Sequence, residues 1–383
     1  MHSAVPEAPT AVIKMYAARE EIYPREAKGR YASLRWACVW ITQLMFYGLP
    51  WLQWNDRQAV LFDLGTRKFY LFGIVLWPQD FIYLAALLII CACSLFLITA
   101  VAGRVWCGFA CPQTVYTEIF MWIERRIEGT RSARMRLDRQ PWSVGKVARK
   151  TAKHAAWAGV ALWTGLTFVG YFTPITVLQR EIASFALGPW EAFWILFYAF
   201  ATYGNAGWMR EQVCKYMCPY ARFQSSMFDH DTLIVTYDQA RGEPRGPMAR
   251  KDVAAANTEA PAKAVLTTTA TTSAPMPLSM PALVAAASAA VAAPAPGAGD
   301  CIDCSMCVQV CPTGIDIREG LQYECIGCAA CVDACNTVMD KVGTPRGLIR
   351  YSTENALRDQ LSVSEIRRRA LRPRVLIYCV LLL

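Results

Sequence analysis

The chain has 383 residues, of which 55% are hydrophobic and only 18% are charged. Soluble chains average about 45–50% apolar and about 25% charged residues, so this composition argues against a disordered protein and against an ordinary soluble enzyme. The net charge of +9 does not indicate nucleic-acid binding, because a membrane protein distributes Lys and Arg according to its topology.

Four uncharged stretches reach or approach the ~20 apolar residues that a helix needs to cross a bilayer. We expect membrane-spanning helices at residues 36–55, 81–103, 155–179 and 192–209. The apolar stretch at residues 69–79 is too short to span and contains Pro78, which favours an interfacial segment. The predicted fold is therefore an all-α helical membrane bundle of four spans, occupying residues 35–230.

Lys and Arg mark the cytoplasmic side of a membrane protein. Here they are concentrated before the first predicted span and between the second and the third, whereas the two opposite loops carry little net positive charge. We therefore expect the N-terminus, and everything from Arg210 to Arg374, to be cytoplasmic.

The rest of the chain divides by composition. We distinguish a cytoplasmic N-terminal segment (1–34), a low-complexity linker that is rich in Ala, Pro, Thr and Ser (231–299), a small cysteine-rich α+β domain (300–341), a basic connector (342–374) and the apolar start of an incomplete fifth span (375–383). Since so short an apolar run cannot cross a bilayer, we expect the chain to be a truncated form of a longer one.

Eight of the 16 cysteines follow the spacing C-x-x-C-x-x-C-x-x-x-C twice in succession. This is the spacing of bacterial ferredoxins with [4Fe–4S] clusters, in which the fourth cysteine of each run binds the other cluster. The predicted ligand sets are Cys301, Cys304, Cys307 and Cys335 for one cluster, and Cys325, Cys328, Cys331 and Cys311 for the other. Zinc sites rarely use this doubled spacing, and disulfides are disfavoured in a reducing cytoplasm. The pattern predicts a dicluster ferredoxin-like domain that transfers single electrons.

Two further cysteine pairs have the pattern C-x-x-x-C-P, at the cytoplasmic ends of the second and fourth predicted spans. They are Cys107 with Cys111, and Cys214 with Cys218. Positions i and i+4 share a helix face, so the four thiols should converge if these spans are neighbours. Such a soft site suits Cu(I), zinc or an iron–sulfur cluster, and the nearby cations Arg104 and Lys215 favour thiolates. The alternative is two pairs of buried structural cysteines.

Five blocks of the sequence carry a resemblance to a known family. They are residues 103–113 (GRVWCGFACPQ), 214–221 (CKYMCPYA), 241–246 (RGEPRG), 299–304 (GDCIDC) and 347–351 (GLIRY). In this order they resemble the FixG/CcoG/RdxA family of cytochrome c oxidase accessory proteins, and the resemblance covers nearly the whole chain from about Tyr23. The chain departs from the family in its long insert at 253–299, and the family's further span and periplasmic immunoglobulin-like domain do not follow Leu383.

The resemblance implies a protein of the bacterial inner membrane that assists assembly of the cbb-type cytochrome oxidase by reducing Cu(II) to Cu(I). The thiols of Cys107, Cys111, Cys214 and Cys218 would then be the catalytic and copper-binding groups. The expected partners are the lipid bilayer, a cytosolic electron donor, and oxidase-assembly and copper-handling proteins. Two alternatives stay open: a respiratory conduit that exchanges electrons with quinone, and a non-enzymatic scaffold that senses redox state.

Overall fold

The computed structural model describes residues 22–246 and 299–382. Residues 1–21 of the predicted N-terminal segment lie outside the described residues, as does most of the predicted linker, including its Ala- and Pro-rich part. The described part is mainly helical and contains three small antiparallel sheets.

The first part of the chain is built from helices. They are α1 (Arg30–Gly48), α2 (Phe81–Ala102), α3 (Val105–Phe109), α4 (Pro112–Ile127), α5 (Arg131–Arg139), α6 (Val144–Val169), α7 (Ile175–Ala183), α8 (Pro189–Thr202) and α9 (Pro219–Met227). Two π-helical segments, Tyr203–Met209 and Val213–Met217, connect α8 to α9. The amphipathic helix α4 buries Phe120 and Ile123 against Trp157 of α6, which joins the helices into one bundle.

Each predicted span overlaps a helix, but the bounds differ. Among the described residues, only the helix at Pro78–Ala102 is long and apolar enough to cross a membrane, and no residue of its apolar window is buried. The bounds predicted for the third span are wrong, because α6 begins at Val144 with a charged half and ends at Val169. Pro174 then starts a separate helix, since its ring fixes φ and removes an N–H donor. The fourth predicted span is divided between α8 and a π-helical segment.

The region between α1 and α2 forms strands, including most of the stretch predicted to be interfacial. The strands are β1 (Gln53–Trp54), β2 (Arg57–Gln58), β3 (Val60–Asp63), β4 (Lys68–Leu71) and β5 (Ile74–Leu76). β4 pairs with both β3 and β5, with Val60 opposite Leu71. The buried Gln58 amide donates to the Gly170 carbonyl oxygen at 2.7 Å, which attaches this region to the end of α6.

Residues on both sides of the cysteine-rich domain complete it, which corrects two predicted boundaries. β6 (Ile234–Tyr237) falls in the predicted linker, and β7 (Ile349–Ser352) falls in the predicted connector, yet the two strands pair antiparallel. The domain also contains the helices α10 (Gln239–Gly242), α11 (Met306–Gln309) and α12 (Ala330–Val342). Its core buries side chains of both strands against Met339 of α12. The domain is therefore α+β, and larger than residues 300–341.

The predicted connector is also helical. After β7 come α13 (Glu354–Arg358), α14 (Val363–Ala370) and α15 (Pro373–Leu382). The last helix, which covers the predicted start of a fifth span, packs alongside α2. It is apolar but shorter than a bilayer-spanning helix.

The residues that flank the undescribed segment 247–298 lie side by side. The Gly299 N–H donates to the Pro244 carbonyl oxygen at 2.9 Å, and the Gly246 N–H donates to the Cys301 carbonyl oxygen at 3.2 Å. The chain therefore leaves and re-enters the cysteine-rich domain at one place.

The cysteine-rich domain docks onto the helical bundle through polar and backbone contacts. The Asp333 carboxylate of α12 accepts the N–H of Ala32 at 2.7 Å and that of Tyr31 at 3.3 Å, donors that the first turn of α1 leaves unpaired. Elsewhere, the backbones of Gly108 and Gly327 touch, because a Cβ atom on Gly108 would lie 2.7 Å from the Gly327 carbonyl oxygen.

We expect Gly108→Ala to destabilise this docking, because the added methyl group meets backbone that cannot move aside easily. Overpacking of this kind typically costs about 1–3 kcal/mol. The thermal unfolding temperature of the full chain in detergent should fall. Gly145→Ala is the matched control, since a Cβ atom there meets nothing within 4 Å. Equal unfolding temperatures for the two variants would contradict the tight contact.

Candidate functional site

The two cysteine runs share a backbone conformation. In the first run, Asp303 and Ser305 flank the second cysteine with φ angles of 49° and 53°, and in the second run Gly327 and Ala329 flank it with 67° and 56°. Left-handed residues next to right-handed ones turn successive N–H groups inward and form nests, which bind anions and iron–sulfur clusters. This conformation costs a non-glycine residue roughly 1–2 kcal/mol. Because the left-handed conformation recurs at matching positions, we infer that both loops have the same function.

The eight thiols of these runs form two groups, within which the thiols lie close enough to interact electrostatically. One group is Cys301, Cys304, Cys307 and Cys335, and the other is Cys311, Cys325, Cys328 and Cys331. These are the sets that the spacing predicts, with the fourth cysteine exchanged between runs. Burial raises the pKa of Cys335 and of Cys325 to about 12 and that of Cys307 to about 11. The thiols therefore keep their protons unless metal ions replace them.

Each group fits a [4Fe–4S] cluster, in which every iron takes one thiolate. Within residues 22–246 and 299–382, no three His, Cys, Asp or Glu side chains are placed to hold a single metal ion. The doubled cysteine spacing and the two thiol groups together favour clusters over a mononuclear metal.

The two C-x-x-x-C-P motifs also share one local structure, and it differs from the predicted single helix. Cys107 lies in α3, and the chain has left helical geometry at Cys111, whose φ and ψ are −62° and 129°. Cys214 lies in the second π-helical segment, and Cys218 is extended, with φ and ψ of −78° and 111°. The prediction that each pair shares one helix face is therefore wrong.

The proline of each motif explains this geometry. Pro112 and Pro219 are the first residues of α4 and α9. Proline is favoured at the first helical position because its missing N–H has no partner there. It also disfavours helical geometry in the residue before it, which is the second cysteine of each motif.

The four thiols nevertheless lie near one another, although no three of them are placed to hold a single metal ion as they stand. Cys107 has Cys111 and Cys214 as electrostatic neighbours, and Cys218 is a neighbour of both Cys111 and Cys214. Burial raises the pKa of Cys107 to about 12 and that of Cys214 to about 11, although the Arg104 guanidinium lowers both. Desolvation outweighs the cation, so the expected preference for thiolates does not hold until a metal ion displaces the protons.

Gln224 of α9 adds a polar group to this four-thiol site, defined as Cys107, Cys111, Cys214 and Cys218. Gln224 is 0% exposed, and the Cys107 thiol donates to its Oε1 at 3.4 Å. Its Nε2 lies near the Tyr220 hydroxyl but makes no hydrogen bond of ordinary geometry among the described residues. A buried donor without an acceptor is unfavourable, so this amide fits a site that receives an anionic sulfur when metal is bound.

The four-thiol site touches the loop of the second cysteine run. Cys107 and Cys214 pack against a buried cluster that includes Cys328 and Ile326. The Arg104 guanidinium donates to the carbonyl oxygens of Tyr323 and, at 3.2 Å, of Cys325. On the other side, the Arg35 guanidinium donates to the Cys328 carbonyl oxygen at 3.0 Å. Two arginines from the bundle therefore hold the loop beside the four thiols.

Sequence reasoning missed the residues that join the two sites. Arg104 was noted only for its charge, and Asp333, Arg35 and Gln224 were not singled out. The position of Arg104 between an apolar span and a cysteine motif was a usable signal. For Gln224, six residues beyond Cys218 in the chain, no spacing pattern points to the thiols.

Comparison with known proteins identifies two family matches. A family described as a 4Fe-4S dicluster domain matches residues 209–272 and 285–354, and a family described as a 4Fe-4S binding domain matches residues 84–130. The first match includes both cysteine runs and the second C-x-x-x-C-P motif, and the second match includes the first motif. No solved structure matches the chain.

Curated relatives match over most of the chain. The nitrogen fixation protein FixG of Rhizobium meliloti (strain 1021) is 42% identical over 344 residues, which are 88% of this chain and 58% of that protein. Proteins RdxA and RdxB of Cereibacter sphaeroides are 39% and 40% identical over 96% and 97% of this chain, and the chain covers 70% and 71% of them. These identities confirm the resemblance carried by the sequence blocks: the chain belongs to the FixG/RdxA family of iron–sulfur electron-transfer proteins.

Proposed function

We propose that this chain is a four-span protein of the bacterial inner membrane that reduces Cu(II) to Cu(I) for assembly of a cbb-type cytochrome oxidase. The observation that carries the proposal is the packing of Cys107 and Cys214 against the buried cluster that contains Cys328. When bound, [4Fe–4S] clusters accept and release single electrons. Cu(II) takes up one electron to become Cu(I), so donor and acceptor match in electron number.

The four-thiol site has the chemistry that copper reduction needs. Thiolates are soft ligands that prefer Cu(I), so binding at this site would itself favour the reduced ion. A copper ion would displace thiol protons, and the guanidinium of Arg104 would offset part of the negative charge that remains. The Gln224 amide would donate to a sulfur that has lost its proton.

The proposed membrane placement is supported by α2 and by the exposed apolar surfaces of α1 and α8. Leu44 of α1 is 66% exposed and Phe200 of α8 is 77% exposed. Contiguous apolar surface of this kind is unusual on a soluble monomer, and lipid would cover it. The Arg-rich helix α5 and the cysteine-rich domain would then lie on the cytoplasmic side.

The double variant Cys107→Ser, Cys214→Ser should lose copper reduction. In wild-type protein with reduced clusters, we expect Cu(II) to restore the oxidised cluster absorbance while a chelator captures Cu(I) in equal amount. The variant removes two of the four thiols, so its rate of Cu(II) reduction should fall sharply. We expect a loss larger than the roughly 10–100-fold that follows when a residue hydrogen-bonded to a metal ligand is replaced. The measurement uses anaerobic full-length protein in detergent, after excess reductant has been removed.

Cys91→Ser, Cys93→Ser is the matched control, because both thiols lie in α2, away from the C-x-x-x-C-P motifs. It should reduce copper at the wild-type rate. Wild-type clusters that stay reduced in the presence of Cu(II) would overturn the proposal, and so would an unchanged rate in the Cys107, Cys214 variant.

A second candidate for the four-thiol site is a third [4Fe–4S] cluster. The observation that favours it is the match of residues 84–130, which include Cys107 and Cys111, to a 4Fe-4S binding domain. The protein would then carry electrons through three clusters, and copper would be reduced elsewhere or not at all.

Iron content separates the two candidates. The copper proposal expects about eight iron atoms per chain, in both wild type and the Cys107→Ser, Cys214→Ser variant, because two clusters contain four irons each. A third cluster would raise the wild-type value to about 12 and leave about eight in the variant. The measurement is iron and acid-labile sulfide per chain after anaerobic cluster reconstitution.

A further inference from the structure

A cleft extends from the cysteine-rich domain along the exposed side of α1. Its lower part, between α1, α4 and α6, has a volume of about 800 Å³ and is lined mainly by apolar and aromatic side chains. Its upper part has a volume of about 470 Å³ and a more polar lining. Trp36, Trp40 and Arg125 line both parts, so the two form one continuous cleft.

The upper part of the cleft reaches the second thiol group of the cysteine-rich domain, which contains Cys311 and Cys331. Val310 and Pro312, which flank Cys311, line it, and so does Ala330, which precedes Cys331. Arg35 also lines it and holds the Cys328 carbonyl oxygen at 3.0 Å. A molecule in the cleft would therefore lie beside an iron–sulfur site.

The lower part contains a few polar groups in an apolar surround. Gln43 and Tyr47 of α1 line it, and the Tyr47 hydroxyl lies 2.9 Å from Thr164 Oγ1. The Gln43 amide lies beside the Tyr116 hydroxyl, and its buried Oε1 has no hydrogen-bond partner among the described residues. An apolar pocket with a small number of convergent polar groups is the usual form of a small-molecule site, and here an acceptor is left for a donor that the ligand brings.

We propose that this cleft binds an isoprenoid quinone in its quinone and quinol forms. The aromatic walls suit a flat ring, the apolar groove suits an isoprenoid tail, and a quinol hydroxyl can donate to Gln43 Oε1. Gln43 is eight residues from Arg35 in the same helix, a rise of about 12 Å. Arg35 in turn contacts the Cys328 loop, so one helix links the ring position to the second cysteine run.

The quinone site names an electron donor for the copper reduction proposed above, and its role in supplying electrons rests on that proposal. A quinol that becomes a quinone loses two electrons and two protons. The two electrons reduce two Cu(II) ions to two Cu(I) ions, one at a time. The protons leave through the polar upper part of the cleft, where Glu26 and Glu118 lie.

Binding is tested on the full chain in detergent with an azido-quinone photolabel, followed by peptide mapping. Labelling should concentrate on the peptide that contains residues 36–47 and should be suppressed by decylubiquinone but not by phosphatidylglycerol. Gln43→Leu should weaken the competition by decylubiquinone about tenfold, as expected for one lost hydrogen bond. Gln179→Leu, at an exposed position in α7, should bind as wild type does.

Tyr47→Phe, which removes only a hydroxyl group, is the second variant and keeps the test valid if Gln43→Leu does not fold. Equal suppression by phosphatidylglycerol, or labelling spread over all the exposed helices, would show a lipid groove and overturn the inference. So would unchanged affinity in both variants.

A redox measurement separates this inference from the copper proposal. Decylubiquinol should reduce the oxidised clusters, and Gln43→Leu should slow that reaction about tenfold without changing the reoxidation of dithionite-reduced protein by Cu(II). Loss of the copper reaction alone would overturn the proposed function and leave the quinone site standing. Unchanged reduction by decylubiquinol in Gln43→Leu would overturn the quinone site alone.

Discussion

The architecture depends on the approach of the α3 backbone to the loop of the second cysteine run, and on the arginine that secures it. Arg104 is 7% exposed, and its guanidinium donates to carbonyl oxygens of the loop and, at 2.8 Å, to that of Ala221 in α9. A guanidinium keeps its charge when buried and offers several donors in a fixed plane, which a lysine does not. One side chain therefore joins the end of α2, the start of α9 and the cysteine-rich domain, and Cys107 follows it by one helical turn.

A second set of charges supports the four thiols from the side of the bundle. Glu124 of α4 is 5% exposed and forms ion pairs with Arg134 at 2.8 Å and with Arg210 at 2.6 Å. The Arg210 carbonyl oxygen in turn accepts from the Gln113 side chain at 3.1 Å. Buried pairs such as these are costly to break, because one partner would remain as an uncompensated charge. They connect the residues after Cys111 to those before Cys214. The two motifs are therefore held in position by the bundle as well as by the cysteine-rich domain.

The sequence predicted the local chemistry better than the long-range structure. The cysteine groups followed from spacing, because a short loop has few ways to present three thiols. α2 was predictable because it is apolar on all sides. The helix α6 was misjudged because Glu124 and Glu128, in another helix, pair with Arg134, Lys150 and Lys153, and no sequence window contains that pairing. β6 and β7 were missed because each has only four residues and its partner is more than a hundred residues away.

The prediction that the four thiols lie near one another was based on an incorrect local structure. A shared helix face was expected to present each pair, whereas each pair is divided between a short helical segment and the residue before the next helix. The thiols come together because two similar interruptions of helical geometry pack against one loop. The proline of each motif could have predicted these interruptions, since proline marks where a helix begins as well as where one ends.

The hydrogen bonds between residues 244–246 and 299–301 give the cysteine-rich domain independence from the segment that interrupts it. Both ends of that segment are fixed at one point, so they stay in place whatever the length between them. For a flexible loop, the entropy of closure grows only with the logarithm of length, by about 0.6 kcal/mol for each doubling. A change of length between these two anchors therefore need not shift either cysteine run relative to the bundle.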